Sequence, residues 1–194
     1  YGALSAALDA TAGERERGSL EPLLTNPAPP LALTLGKWGA VASVAMLIAV
    51  LSCASFLPGQ WLLRSDTLAA LFRFGPAEAL QFLLLLLPLA GAVAAVLLAV
   101  AIRCRSIKEA QANATMVVFA ISLAPVASVF NPGAEGPWQL AVPALAQITL
   151  MGRVLKGEAL GPAEVLVPLA VCALIAVLCG AYVARTLRAA AVKA

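Results

Sequence analysis

The sequence contains no histidine, and only 12% of its 194 residues are charged. Without histidine there is no HExxH zinc-protease motif, and the usual general base of hydrolases is missing. An ordinary soluble domain carries about 25% charged residues. Here 62% of the residues are apolar, and the mean hydropathy is +0.94. The composition therefore indicates an integral membrane protein.

The sequence also has few cysteines and little excess of positive charge. The cysteines, Cys53, Cys104, Cys172 and Cys179, form no CxxC pair, and we expect them to be small packing residues in buried helices. We accordingly expect no metal and no cofactor. Lysine and arginine exceed aspartate and glutamate by three charges, spread thinly, which argues against nucleic acid as a partner.

Four stretches without any charged residue are long enough to cross a bilayer, which takes about 20 helical residues. They are residues 38–57, 79–102, 112–130 and 165–184. A backbone in hydrocarbon must satisfy its own hydrogen bonds, so each stretch is predicted to be a helix. The predicted fold class is all-α: a polytopic transmembrane helical bundle with four full spans.

The cations are unevenly distributed over the segments between these spans. The larger group comprises Arg15, Arg17, Lys37, Arg103, Arg105, Lys108, Arg185, Arg188 and Lys193, and the smaller group Arg64, Arg73, Arg153 and Lys156. Short loops rich in lysine and arginine stay in the cytoplasm. Residues 1–37, 103–111 and 185–194 are therefore predicted to be cytoplasmic, including the C-terminus, and residues 58–78 and 131–164 to be outer loops.

Each outer loop contains a short amphipathic segment. Residues 61–74 are predicted to lie in the membrane interface, and residues 143–156 to lie in the interface or to enter the membrane and return. Glu78 and Glu164 lie at the outer ends of two spans, where we expect them to cap the helix N-termini.

The most charged stretch is GERERGSLEPLLTNP, residues 13–27. Glu14 with Arg17, and Arg17 with Glu21, have the spacing of helical neighbours, so ion pairs are expected to stabilise a short helix here. On composition alone, the stretch is a solvated face beside the membrane.

The run AGERERGSLEPLLTNPAP followed by LGKW resembles the cytoplasmic signature of type-2 ABC exporter permeases. The link RCRSIKEAQANA, residues 103–114, is similar to the cytoplasmic turn of the sodium-efflux (NatB-like) branch of that family. Residues 143–158 resemble its outer re-entrant portion. The resemblance implies a six-span permease in which residues 1–7 end the second span. Since the sequence begins with Tyr1 rather than Met, we expect an N-terminal part to precede it, and the resemblance implies that this part contains a first span and an outer domain.

The resemblance also implies partners and a location. It implies export driven by ATP that a separate ATPase subunit hydrolyses, with a second permease copy or homologous half, in the cytoplasmic (inner) membrane. The sequence has no GxxxxGK[ST] phosphate loop of its own. In the family, the first charged segment is the coupling helix that docks on the ATPase. The residues expected to form the docking surface are Glu14, Arg15, Glu16, Arg17, Glu21, Lys108, Glu109 and Gln111.

The cargo is less well defined, because no acidic residue lies within a predicted span. The candidates for a substrate path are Gln81, Asn113, Thr115, Ser122, Ser128 and Asn131. The same polar residues also fit hydrogen bonds between helices. The resemblance suggests sodium ions, and lipids, peptides and other hydrophobic compounds stay open as cargo.

Two other classes of function compete with this interpretation. An intramembrane enzyme needs a nucleophile with its base, paired carboxylates or metal ligands, and the sequence offers none of these sets. A secondary transporter typically has inverted repeats and intramembrane charges, which are also absent. A secondary transporter or a structural membrane subunit remains the alternative, and copurification of an ATPase separates these possibilities.

Overall fold

The computed structural model describes residues 2–18, 29–62, 75–130 and 137–191, and every regular element within these ranges is helical. In chain order they are α1 (Gly2–Leu8), a π-helical turn (Asp9–Gly13), α2 (Glu14–Glu16), α3 (Pro30–Leu62), α4 (Pro76–Ala101), α5 (Ile107–Phe130), a 3-10 turn (Pro137–Ala141), α6 (Leu145–Leu155) and α7 (Pro162–Ala191). The predicted all-α class is confirmed.

The four long helices, α3, α4, α5 and α7, overlap the four uncharged stretches. The shortest, α5, has 24 residues and so extends about 36 Å, more than the roughly 30 Å of a bilayer core. Among the described residues, Pro30–Phe56, Pro76–Ala101 and Pro162–Ala189 are also apolar enough to cross a membrane. Helix α5 begins with the polar sequence IKEAQAN and is not among these three, so its passage through the membrane stays a prediction.

Two of the long helices begin at the same tetrapeptide, GPAE. In α4 and α7 proline occupies the first helical position, where its missing N–H costs nothing. The carboxylate three residues after the glycine then accepts a hydrogen bond of 2.8 Å from the glycine N–H, between Glu78 and Gly75 and between Glu164 and Gly161. The expected capping role of both glutamates is thus present in the structure.

The chain forms two compact units. Unit 1 comprises Tyr1–Ala45, Gly91–Ala120 and Ala173–Ala194, and unit 2 comprises Met46–Ala90 and Ile121–Cys172. Unit 1 therefore contains all three segments predicted to be cytoplasmic. Unit 2 contains both predicted outer loops.

Unit 1 has an apolar interior to which α1, α3, α4 and α7 contribute. Leu8, Val41, Leu97 and Val183 are examples of its buried side chains. The indole N–H of Trp38 donates a hydrogen bond of 3.0 Å to the carbonyl oxygen of Gly91, which ties α3 to α4. This bond fixes the register of the two helices within the unit.

In unit 2, the short helix α6 packs against α3 and α4. Its Val154 lies in a cluster with Cys53, Ala79 and Phe82. Helix α6 ends at Leu155, and two residues later Gly157 has a φ of +76°, the left-handed conformation that commonly follows a helix end. The structure thus has an 11-residue helix within the segment 143–156 that the sequence identifies as interfacial or re-entrant.

The helix before the first predicted outer loop extends further than the sequence indicates. Helix α3 continues through Pro58 to Leu62, whereas the uncharged stretch predicts a loop from residue 58. The predicted interfacial helix at residues 61–74 lies almost wholly outside the described residues.

Candidate functional site

The charged N-terminal segment and the link after α4 lie together in unit 1. The Nη1 atom of Arg15 donates a hydrogen bond of 2.9 Å to the carbonyl oxygen of Cys104. The Glu16 carboxylate accepts one of 3.0 Å from the N–H of Ile107, the first residue of α5. Two segments that the sequence identifies separately as contacts for an ATPase therefore form one surface, which we call the charged cluster: residues 14–17 with 103–111.

The link owes its shape to two helix ends. At the end of α4, the N–H groups of Arg103 and Cys104 bond to carbonyls three residues earlier, which tightens the last turn. At the start of α5, Ser106 Oγ accepts a hydrogen bond of 3.2 Å from the N–H of Glu109, and the Glu109 carboxylate accepts one of 2.9 Å from the N–H of Arg105. These two hydrogen bonds cap the N-terminus of α5 and orient its first turn.

Two carboxylates therefore lie at the N-terminus of α5. Glu109 comes from the helix itself and Glu16 from α2, and each accepts a backbone N–H. The N-terminus of a helix carries partial positive charge, so both carboxylates are favourably placed. The arrangement holds α2 against α5 through hydrogen bonds and through charge.

A buried lysine connects the same N-terminal segment to α3. Lys37 is 8% exposed, pairs with the carboxylate of Glu14, and donates a hydrogen bond of 2.6 Å to the carbonyl oxygen of Ala10 in the π-helical turn. Sequence reasoning placed Lys37 among the cytoplasmic cations and missed this pairing. The sequence does carry a signal for this ion pair: a lysine stands directly before an uncharged stretch, and an acidic residue lies on the other side of a proline-rich connection.

Arg17 lies at the exposed edge of the segment. Its guanidinium donates to the carbonyl oxygens of Gly13, at 3.1 Å, and Asp9, at 3.4 Å, and its ion pair with the Asp9 carboxylate is 3.8 Å long. Both side chains of that pair are about two-thirds exposed, so it contributes little stability. The sequence suggested Glu14 and Glu21 as partners of Arg17; Glu14 pairs with Lys37, and Glu21 lies outside the described residues.

The predicted docking residues fall into two groups by exposure. Glu14 and Arg15 are half-buried and bonded inward. The exposed members are Glu16, Arg17, Lys108, Glu109 and Gln111. The charged cluster thus presents charges of both signs outward, while other charges hold its segments together.

The described residues of the proposed substrate path are divided between the two units. In unit 1, Asn113 donates to Cys104 Sγ at 3.4 Å, and Thr115 Oγ1 donates to the carbonyl oxygen of Gln111 at 2.7 Å. Gln81 and Ser122 belong to unit 2. The side chain of Ser128 and the whole of Asn131 lie outside the described residues. Asn113 and Thr115 thus bond to the preceding link and within α5, whereas the alternative interpretation was hydrogen bonds between helices.

Unit 2 contains a buried glutamine that the sequence did not single out. Gln147 is 2% exposed; its Oε1 accepts a hydrogen bond of 2.8 Å from the N–H of Ala144, and its Nε2 donates to Cys172 Sγ at 3.5 Å. Ala144 has a φ of +69°, which is strained for a residue with a Cβ. Gln147 therefore caps α6 and links it to α7.

A group of charges joins the end of α6 to the start of α7. Arg153 bonds to the Glu158 carboxylate at 2.9 Å and to the Glu164 carboxylate at 2.6 Å. The hydrogen bond to Glu164, and then that to Glu158, raise the pKa of the Arg153 guanidinium above its usual value. Helices α6 and α7 are therefore tied by a guanidinium that stays positive. Among the described residues, no group of three or more His, Cys, Asp and Glu side chains is placed to hold a metal ion.

The sequence of the chain is similar to those of known transport proteins. The family model described as ABC-2 family transporter protein matches residues 2–184. The ABC transporter permease protein NatB of Bacillus subtilis (strain 168) is 32% identical over 137 residues, which are 67% of this chain and 34% of that protein. The chain thus spans about a third of the length of this relative. No solved structure matches the chain.

Proposed function

Because the chain belongs to the ABC-2 family of transporters, as the sequence predicted, we propose that it is the membrane subunit through which an ABC transporter exports its cargo. It is a multi-pass permease segment and a transporter subunit rather than an enzyme. In the proposed function, a separate ATPase subunit hydrolyses the ATP. Since the chain spans about a third of the named relative, the activity is that of the complete permease.

The bonds from Arg15 to Cys104 and from Ile107 to Glu16 carry this proposal. They connect the segment that resembles a coupling helix to the end of α4 and the start of α5. A soluble subunit that moved this segment would therefore pull on two long helices through hydrogen bonds to charged groups, which are about twice as strong as neutral ones. This is the connection that coupling of ATP hydrolysis to transport requires.

The proposed docking surface is the exposed part of the charged cluster: Glu16, Arg17, Lys108, Glu109 and Gln111, with Glu21. Glu14 and Arg15 belong to the same segment but bond inward, to Lys37 and to the carbonyl oxygen of Cys104. Because exposed ion pairs contribute only about 0 to 1 kcal/mol each, docking depends on several contacts together.

The remaining features of the proposal are supported by the distribution of cations and by the resemblance. The charged cluster and the C-terminus face the cytoplasm, the permease lies in the inner membrane, and a second copy or a homologous half completes the pathway. Sodium ions are the first cargo to test. The resemblance to the sodium-efflux branch supports sodium as the cargo. Residues of the proposed substrate path, such as Gln81 and Ser122, are supported by their polarity alone.

The test uses the complete permease, reconstituted with its ATPase. The double variant Arg17→Glu/Lys108→Glu reverses two exposed charges of the docking surface, and Arg185→Glu/Arg188→Glu reverses two exposed charges on α7 as a matched control. We expect the first variant to insert normally, to retain less ATPase on copurification and to lose most of the permease-stimulated ATP hydrolysis. Equal behaviour of the two variants would reject the docking surface. Absence of any ATPase from the wild-type permease would reject the proposed function.

A further inference from the structure

Lys37 is buried, although its predicted position at the edge of the membrane would allow its ammonium group to reach water. A lysine next to a span ordinarily extends its flexible chain toward water. Here the side chain is 8% exposed, and its ammonium group meets the Glu14 carboxylate and the Ala10 carbonyl oxygen. Burying a charge is costly, and an apolar residue of similar size often stabilises a fold equally well. Stability alone therefore gives little reason for this buried pair.

The atoms that Lys37 contacts give a better reason. Ala10 lies in the π-helical turn, and Glu14 is the first residue of α2, so Lys37 holds both the wide turn and the helix that follows it. A π-helical turn is a rare, wide geometry that occurs mostly as a local irregularity at functional sites. Lys37 thus fixes this irregular turn of the N-terminal segment to α3.

The next residue extends this connection to another helix. Trp38 bonds through its indole N–H to the carbonyl oxygen of Gly91 in α4. Displacement of α2 would therefore reach α3 through Lys37, and α4 through the neighbouring Trp38. This route is separate from the bonds of Arg15 and Glu16, which act at the end of α4 and the start of α5.

We propose that Lys37 is a positioning residue for energy coupling, which transmits movement of the docked N-terminal segment to α3 through its pair with Glu14. This inference rests on the proposed function. It differs from the docking proposal because Lys37 is buried and belongs to none of the exposed contacts. Loss of the pair would leave the ATPase bound but would uncouple its hydrolysis from the permease.

The experiment measures two properties of the complete permease in lipid nanodiscs: how much ATPase subunit copurifies, and how far the permease stimulates ATP hydrolysis. The variants are Lys37→Met, which keeps the length without the charge, and the swap Glu14→Lys/Lys37→Glu. The control is Thr34→Val, because Thr34 is buried one turn earlier on the same helix and its hydroxyl donates a hydrogen bond to the carbonyl oxygen of Pro30, within α3 itself.

We expect Lys37→Met to copurify as much ATPase as the wild type, with stimulation reduced about tenfold, within the usual range of coupling between sites. The swap variant should recover most of the stimulation, and Thr34→Val should match the wild type. Full stimulation in Lys37→Met would overturn the proposal, as would a swap variant that stays as low as Lys37→Met. If Lys37→Met fails to insert, the swap variant decides alone. A wild-type permease that binds no ATPase would instead refute the proposed function.

Discussion

The guanidinium of Arg15 lies 2.9 Å from the carbonyl oxygen of Cys104, 89 positions later in the chain. The last four carbonyl groups of a helix have no hydrogen-bond partner within the helix, and neither do the carbonyls of the residues that follow it. Arg15 supplies a charged donor just beyond the end of α4, where positive charge is favourable. The N-terminal segment therefore completes the end of a long helix, and its own position depends on that contact.

Replacement of Arg15 should destabilise unit 1. In Arg15→Gln, the Cys104 carbonyl loses a charged donor, and a hydrogen bond of this type contributes about 1.5 to 3 kcal/mol. Since Arg15 is half-buried, we expect a loss near the lower end of this range, measured as a lower melting temperature in detergent. The control is Arg103→Gln, which removes an exposed arginine from the same link and should change stability by under about 0.5 kcal/mol. Equal melting temperatures for both variants would contradict the role of the Arg15 bond.

Ser106 should determine how firmly α5 begins. In Ser106→Ala, the N–H of Glu109 loses the hydroxyl oxygen that caps it, at a cost of about 1 kcal/mol. We expect faster hydrogen exchange for residues 107–110, whereas Ser106→Asp should keep the protection because aspartate is an equally good cap. Unchanged exchange in Ser106→Ala would show that Glu16 and Glu109 alone hold this helix end.

The positions of the long helices follow from the sequence because uncharged length is a direct requirement of the bilayer. Their ends do not. The uncharged stretch begins after Lys37, yet α3 begins at Pro30 and includes Lys37, which pairs with Glu14 from elsewhere in the chain. Likewise α7 continues past Ala184 to Ala191, where the chain is charged but still helical. Counting the charges within one stretch does not reveal an ion-pair partner that is distant in sequence.

The charged cluster was only half predictable for the same reason. The sequence identified its two segments through their charge and through a family resemblance. It did not indicate that Arg15 and Glu16 bind the link, since these contacts join residues about 90 positions apart. Gln147 was missed because one polar residue in an apolar helix carries no pattern; its role depends on Ala144 and Cys172, which only the fold brings to it.

Replacement of Ala144 by glycine should relieve backbone strain at the start of α6. Its φ of +69° and ψ of −44° lie in a sparsely populated region that costs about 1 to 3 kcal/mol for a residue with a Cβ. Glycine removes this strain but gives up about 0.5 to 1 kcal/mol of chain entropy and a buried methyl group. We expect Ala144→Gly to keep or raise the melting temperature. Ala146→Gly, at a buried position within α6, should lower the free energy of unfolding by about 1 kcal/mol or more, and the melting temperature with it. A lower value for Ala144→Gly than for Ala146→Gly would contradict the strain.

The direction of the chain through the membrane can be tested at two exposed positions. Arg105 lies in the charged cluster and Glu158 after α6, and the cation distribution predicts that they face opposite sides. Single cysteines at these positions, Arg105→Cys and Glu158→Cys, would be introduced into the complete permease after Cys53, Cys104, Cys172 and Cys179 are replaced by alanine or serine. A membrane-impermeant maleimide is then added to intact cells. We expect it to label Glu158→Cys at once, and Arg105→Cys only after the membrane is permeabilised, because a charged reagent does not cross the hydrocarbon core. Labelling of Arg105→Cys in intact cells would place the charged cluster outside, where no ATP-driven subunit acts, and the docking proposal would fail together with the orientation.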